Sequence, residues 1–352
     1  MKLSPGTFAW LPFATAVSLT VVPPALSQPY RPDETPMIPS VADLYKIIEQ
    51  SDLVYVLEHL DSVQVDSIDK ARRLNSNMLY LYVDSSSRSL VRHEIDDSLG
   101  VIFAIAEGAY EAGDFEAALA AYSEALLLRP SFDPAMVYAG DAYFGMNELD
   151  SARAWYQRAV DANFINYQAH WFLGHMMWLQ GDSARAIEEL TIAHLLNVNH
   201  MEIKKVLKSY REDAGGTWRG PDISLHYALT RDTSGVRVRF EAESVAYALV
   251  RAVWKYEPGY AESRQGEDWR GSLMQEIAEA AVTWLDFMAG LDDTLAPAWW
   301  PQVEELAQEA DDSGQVEHFI WYAFIAPELP AAMMLMPREQ FDAIREFVDK
   351  FY

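Results

Sequence analysis

Three alanines at 34-residue intervals, Ala118, Ala152 and Ala186, constrain this chain more than any other feature. A second trio, Ala125, Ala159 and Ala193, keeps the same interval seven residues behind the first. Tyr122, Tyr156 and Leu190 lie between the two trios at the same period, and Gly140 and Gly174 repeat it again. Self-similarity at this period marks a stacked helical repeat, in which no unit can bury its apolar face alone. Small residues let the two helices of a unit approach closely, and the Tyr or Leu fills the space toward the next unit. The repeats read as Leu99–Phe132, Asp133–Asn166 and Tyr167–His200, with turns at Gly113-Asp114, Asn147-Glu148 and Gly181-Asp182.

These positions resemble the tetratricopeptide repeat family, whose unit is a 34-residue helix–turn–helix. Pro130 closes the first repeat where the family favours proline; Phe164 and Val198 stand there in the other two. Ala106 and Ala109 replace the family's Gly and Tyr in the first repeat. The second keeps both, as Gly140 and Tyr143, and the third keeps Gly174 but has Met177.

The resemblance implies a concave groove, lined by the first helix of each repeat, that holds a peptide or partner segment. Carried over position by position, its lining is Phe103, Glu107 and Tyr110, then Val137, Asp141 and Phe144, then Trp171, His175 and Trp178. Within each helix these residues share a face, because i, i+4 and i+7 coincide. Some family members grip a chaperone's C-terminal carboxylate with Lys, Arg and Asn. The matching positions here are Phe103, Glu107, Tyr138, Gln168 and Phe172, none of them cationic, so that specificity is not expected. Two readings of the aromatics stand side by side. They are anchors for a partner, or they are core beneath the chain's own N-terminal segment or C-terminal domain, since an open apolar patch is a solubility liability.

Met201–Asp213 reads as a capping helix, with Ile203, Val206, Leu207 and Tyr210 as its buried stripe. Lys204, Lys205, Lys208 and Arg211 cover the rest, either as the solvated face an array end needs or as a docking patch for an acidic partner.

The formal net charge of −26 argues against nucleic acid as a partner, because phosphate binding needs a basic surface. Lys2, the mostly apolar Phe8–Val22 and the small-x-small Ala25-Leu26-Ser27 predict an export signal over 1–27, cleaved before Gln28. Export to a periplasm or the exterior is the expectation, with no membrane span in the mature chain. The absence of cysteine excludes disulfides and fits an oxidising compartment.

The expected fold is mainly α, an αα-hairpin repeat array over 99–213 flanked by helical regions. Residues 28–40, rich in proline, read as a linker. Residues 41–98 read as a helical region packed on the open N-terminal end of the array, with helices over Val41–Leu60 and Ser67–Val83 and one resumed at Leu90 and Val91. Residues 222–352 read as a separate helical domain. It carries one β-hairpin near 222–240, signalled by alternation through Leu225, Tyr227 and Leu229 and through Val236, Val238 and Phe240 about a turn at Asp232, Ser234 and Gly235. Pro327, Glu328 and Pro330 interrupt the apolar run Phe319–Met336, which predicts two short buried pieces rather than a membrane span. Met333, Met334 and Met336 within it suit core filling better than copper binding.

No motif points to catalysis, a cofactor or a metal. The eight histidines include no HExxH and no i, i+4 pair, and no phosphate loop or GxSxG elbow is present. Carboxylates are abundant enough that a pair can always be found; Glu257 and Asp268, near Tyr256 and Trp269, are the least unsuitable for glycoside chemistry, and solvated surface positions are the commoner use. The expected function is therefore a non-catalytic scaffold that binds a protein or peptide in the groove. The rival reading is a hydrolase or carbohydrate-binding protein whose site uses Trp254, Trp269, Trp284, Trp299, Trp300 and Trp321.

Overall fold

The 34-residue period folds into three antiparallel helix pairs: α3 (Asp97–Glu111) with α4 (Phe115–Leu128), α5 (Asp133–Gly145) with α6 (Leu149–Ala162), and α7 (Tyr167–Leu179) with α8 (Ser183–Leu196). The computed structural model describes residues 19–21, 39–74, 76–85, 87–220, 223–264, 272–292 and 294–352. The periodic small residues sit where the helices cross. Ala118, Ala125, Ala152, Ala159, Ala186 and Ala193 are all buried, as are Tyr122, Tyr156 and Leu190 between them. A methyl group at Gly140 would lie 2.5 Å from the Tyr156 ring, so a larger residue here would require the ring to shift. The turns need a left-handed residue at one fixed position. Gly113 and Gly181 supply it at φ 76° and 83°, and Asn147 supplies it at φ 61° in the middle repeat. Asp114 and Asp182 then cap α4 and α8 by accepting from backbone N–H groups.

The cap follows as α9 (Met201–Asp213), with Ile203 and Leu207 buried. The segment before the array departs from expectation. Helix forms over Val41–Gln50 (α1) and Ser62–Arg72 (α2), shorter than the expected Val41–Leu60 and displaced from the expected Ser67–Val83. Tyr55–His59 is a strand (β2), and Leu79–Val83 (β3) pairs antiparallel with Arg88–Arg92 (β4) where helix was expected. The alternation Leu79-Tyr80-Leu81-Tyr82-Val83, rich in aromatic and β-branched side chains, suits a pleat better than a helix.

The chain divides into two compact units, and they cut across the expected domains. One comprises Arg72–Gly220 with Ala326–Tyr352, the other the chain up to Ala71 with Pro221–Ile325. Residues 72–94 run along the edge of the array formed by its inter-repeat turns, not over its N-terminal end. The residues that close α4, α6 and α8 hold this strap at the repeat period. Arg129 donates to Glu94 O, Asn163 to Leu79 O at 2.8 Å, and Asn197 to Leu74 O at 3.3 Å. Asp133, wholly buried, accepts from Asn163 at 3.0 Å and Asn166 at 2.6 Å and lies 2.6 Å from His93 Nε2.

The C-terminal stretch belongs to the array as well. It comprises α15 (Ala326–Glu328), α16 (Pro330–Leu335) and α17 (Arg338–Phe351). Phe341 of α17 packs edge-on against Phe164 at 5.3 Å. Asp349 receives Arg211 at 2.6 Å and Thr191 at 3.1 Å. Arg88 of the strap donates to the carbonyls of Leu335 and Met336. The expected boundary at 222 therefore fails because the last helices bury their apolar face on α8.

The other unit is built on a sheet ordered β1 (Leu19–Val21), β2, β6 (Gly235–Phe240), β5 (Tyr227–Asp232). The β5–β6 hairpin is the one expected, although residue 222 lies outside the described residues. β2 joins β6 in parallel, a pairing between residues 181 positions apart that goes with the assignment of residues up to Ala71 to this unit. Val236 N donates to Val54 O at 2.8 Å, and a methyl on Gly235 would meet that same oxygen at 2.2 Å. The sheet is followed by α10 (Val245–Tyr256), α11 (Tyr260–Arg264), α12 (Ser272–Ala289), α13 (Trp300–Asp312) and α14 (Val316–Ile320), the last running into a π turn over Trp321–Ile325. The apolar run from Phe319 is thus broken into short helical pieces. Among the described residues no helix is long and apolar enough to cross a membrane. The predicted export signal lies outside the described residues except for Leu19–Val21, as do linker residues 28–38, Asp268 and Trp269.

Candidate partner-binding groove

The first helices of the three repeats bring a polar residue to the same place at each turn of the array: Glu107, Asp141 and His175. Each is paired with a phenol. Tyr122 of α4 donates to Glu107, and Tyr156 of α6 donates to Asp141 at 2.6 Å. In the third repeat Leu190 replaces the tyrosine, and His175 Nδ1 lies instead 2.6 Å from the hydroxyl of Tyr210 on the cap. The expected thin polar line is therefore a ladder of carboxylate–tyrosine and histidine–tyrosine pairs.

Electrostatics along this ladder are set by burial. Withdrawal from water pushes the Asp141 carboxyl up to about 6; the Tyr156 hydrogen bond opposes this and the charge of Glu107 adds to it. Burial also lowers the His175 pKa, which keeps the imidazole neutral at neutral pH. It raises the phenols of Tyr110, Tyr122, Tyr138 and Tyr156, with the neighbouring carboxylates adding to the rise, so each remains a protonated donor.

Aromatic walls flank the ladder. Phe103 packs edge-on against Phe132 and Tyr138, and Tyr110 against Phe115. Phe144 is 42% exposed and meets the His175 ring edge-on. Trp171 stacks on Phe172, and Trp178 stacks on Tyr210 at 4.0 Å. Among the described residues these ring contacts stay within the array and its cap. Val137 departs from expectation: it is buried with Met136, Ala152 and Tyr156, being too short to emerge between its larger neighbours. Tyr138, one of the positions matched to the family's carboxylate grip, lies beside Phe103 and Tyr122. Tyr210 joins the groove without having been expected there, in the role that Leu190 vacates.

The basic patch on α9 does not survive as a unit. Arg211 is buried against Asp349, Thr191 and the Val348 carbonyl. Lys205 pairs with Glu202 at 2.7 Å and Lys208 with Glu212 at 3.9 Å, both pairs exposed. Such surface pairs contribute little to stability. Lys204 is half-buried beside them.

The alternative site loses its main residues to the core. Trp254, Trp284 and Trp300 are buried, and Trp284 donates to the Glu243 carbonyl at 2.6 Å. Glu257 accepts from Ser51 at 2.7 Å and Tyr55 at 3.0 Å, and burial raises its pKa. It holds β2 and α1 to the end of α10 rather than facing solvent. Among the described residues no group of three or more His, Asp or Glu could hold a metal ion.

Residues 109–169 match the family model for the tetratricopeptide repeat. The array is made of tetratricopeptide repeats. Three solved structures are similar to parts of the chain. The first tetratricopeptide domain of Spaghetti (RPAP3) bound to the HSP90 peptide SRMEEVD is 16% identical with a TM-score of 0.32, covering 34% of this chain and 96% of that one. The Yersinia enterocolitica type III secretion chaperone SycD, in complex with a peptide of the translocator YopD, is 20% identical with a TM-score of 0.32, covering 34% and 94%. MamA is 14% identical with a TM-score of 0.32, covering 61% and 95%. No curated protein matches the chain.

Proposed function

We propose that this protein is an exported, non-catalytic scaffold that binds a segment of a protein partner in the concave groove of its tetratricopeptide array. One observation carries the reading. Glu107, Asp141 and His175 stand in a row, each oriented by a tyrosine and each flanked by partly accessible aromatic side chains. Pre-oriented polar groups among rigid apolar anchors are the ingredients of a specific peptide site. The two carboxylates favour a segment that brings a lysine, an arginine or a backbone donor to the ladder.

The test is capture from a cell-envelope extract by the full chain and by a Phe144→Ala, Glu107→Gln, Asp141→Asn variant whose fold is verified by circular dichroism. Loss of a bound protein from the variant supports the groove; equal capture by both sinks it. N-terminal sequencing of the protein recovered from the envelope tests export, for which processing before Gln28 is the expected result.

A further inference from the structure

The first helix of the array presents a face that its counterparts bury. One repeat period carries Val101, Ile105 and Gly108 of α3 onto Ala135, Ala139 and Ala142 of α5, and then onto Ala169, Leu173 and Met176 of α7. The six residues on α5 and α7 are no more than 1% exposed, whereas Val101 and Ile105 are 61% and 60% exposed. What covers the buried six is a helix of the preceding repeat. Ala121, Tyr122 and Ala125 of α4 share a cluster with Ala135 and Ala139, and Ala152, Tyr156 and Ala159 of α6 share one with Ala169, Leu173 and Met176. The strap runs along the turn edge and leaves this end of the array bare.

We propose that this face of α3 docks an amphipathic helix of a partner protein, seated as α4 sits on α5 and carrying basic residues around its apolar stripe. The charge argument is local. From Glu94 to Leu128 the chain carries Glu94, Asp96, Asp97, Glu107, Glu111, Asp114, Glu116 and Glu124, and no lysine, arginine or histidine. Asp97 and Glu111, both exposed, bracket the apolar stripe at its two ends. At 1.5 Å per residue the helix runs about 21 Å from Asp97 to Glu111, which fits a partner helix of about four turns with its apolar contact centred on Val101 and Ile105. Isolated helices of that length are marginal in water, so the partner helix gains order on docking. A docking surface built this way exploits the hydrophobic stripe for affinity and the acidic brackets for orientation and choice of partner.

The probe is a fluorescein-labelled 16-residue amphipathic peptide with Leu and Ala at i, i+3, i+4 and i+7 and Lys on its flanks, and the control is the same peptide with Glu for Lys. Anisotropy is read against the full chain, a Val101→Asp, Ile105→Asp variant and a Val101→Ser, Ile105→Ser variant. Both side chains are exposed, so each variant keeps the wild-type melting curve. The expected result is saturable binding of the lysine peptide, weakened at least tenfold by either pair of substitutions and by Glu flanks, and unaffected by Phe144→Ala. The Asp variant is more acidic than the wild type, so non-specific charge attraction cannot produce the loss. Equal binding by wild type and both variants overturns the proposal, as does no saturable binding. A wild-type dimer in sedimentation that the variants dissociate also overturns it and assigns the face to a second copy of the chain.

Discussion

Tyr210 stands 35 residues beyond His175 and reaches it from the cap, whereas Tyr122 and Tyr156 each meet a partner 15 residues earlier in the chain, Glu107 and Asp141. The cap therefore completes a ladder that the third repeat, with Leu190, cannot finish alone. It acts as part of the groove and not only as a lid on the last core.

The ladder has a thermodynamic consequence. Tyr156→Phe removes the one hydrogen bond that favours ionised Asp141 and keeps the ring in its packed place. The expected loss in urea unfolding is about 1–2 kcal/mol at neutral pH. It should shrink below pH 5, where the carboxyl is protonated and no longer needs the donor as strongly. An equal loss at both pH values would mean that the phenol matters only through packing.

Asp141 also gives stability a pH dependence whose sign differs from that of an ordinary carboxylate. Its pKa is about 6 in the folded chain, against about 3.9 for an unperturbed Asp. The folded state therefore holds its proton more tightly. The contribution is complete below pH 4 and is lost as pH rises through 6. The groups facing it are Tyr156, Tyr138, Tyr110 and Glu107. The melting temperature of Asp141→Asn, compared with wild type, should gain between pH 4.5 and pH 7.5. A constant difference across that range contradicts the assignment.

Asp133→Ala takes the acceptor from two buried amides, Asn163 and Asn166, and from the half-buried His93 at once. The expected cost is about 3 kcal/mol or more, because each unpaired group keeps its desolvation penalty. Asp133→Asn should cost less. Hydrogen exchange locates the damage: amides of β3 and β4 are expected to lose protection before those of α6.

The middle turn offers a milder test. Asn147 holds the left-handed conformation that Gly113 and Gly181 hold in the other repeats. Asn147→Ala should cost about 1 kcal/mol in thermal unfolding, and Asn147→Gly should be close to neutral. A neutral alanine would show that the turn relaxes to another geometry.

The array was legible because its information is local and repeated. Crossing alanines, turn residues and the groove line all recur within the reach of one helix pair. The strand Tyr55–His59 was not, since its partner Val236–Phe240 lies 181 residues away and short strands in parallel pairing carry no nearby turn signal. The hairpin at Leu79–Val83 did announce itself by alternation, but the neighbouring helical pattern of Ser67–Arg72 overran it. Arg211 looked like surface because its anion, Asp349, arrives from 138 positions along the chain. In the groove, the aromatic and polar positions could be read from period alone. The hydrogen bonds that orient them could not, since they depend on which way two facing helices turn their side chains.

Arg129, Asn163 and Asn197 fasten the strap at three stations spaced by one repeat. A repeat array ordinarily lengthens or shortens freely, because each unit answers only to its neighbours. This one is tied to a ruler of fixed length. Duplicating or deleting a single repeat would leave a fastening without its carbonyl or a carbonyl without its fastening, so the number of repeats is a property of the whole fold and not of the repeat.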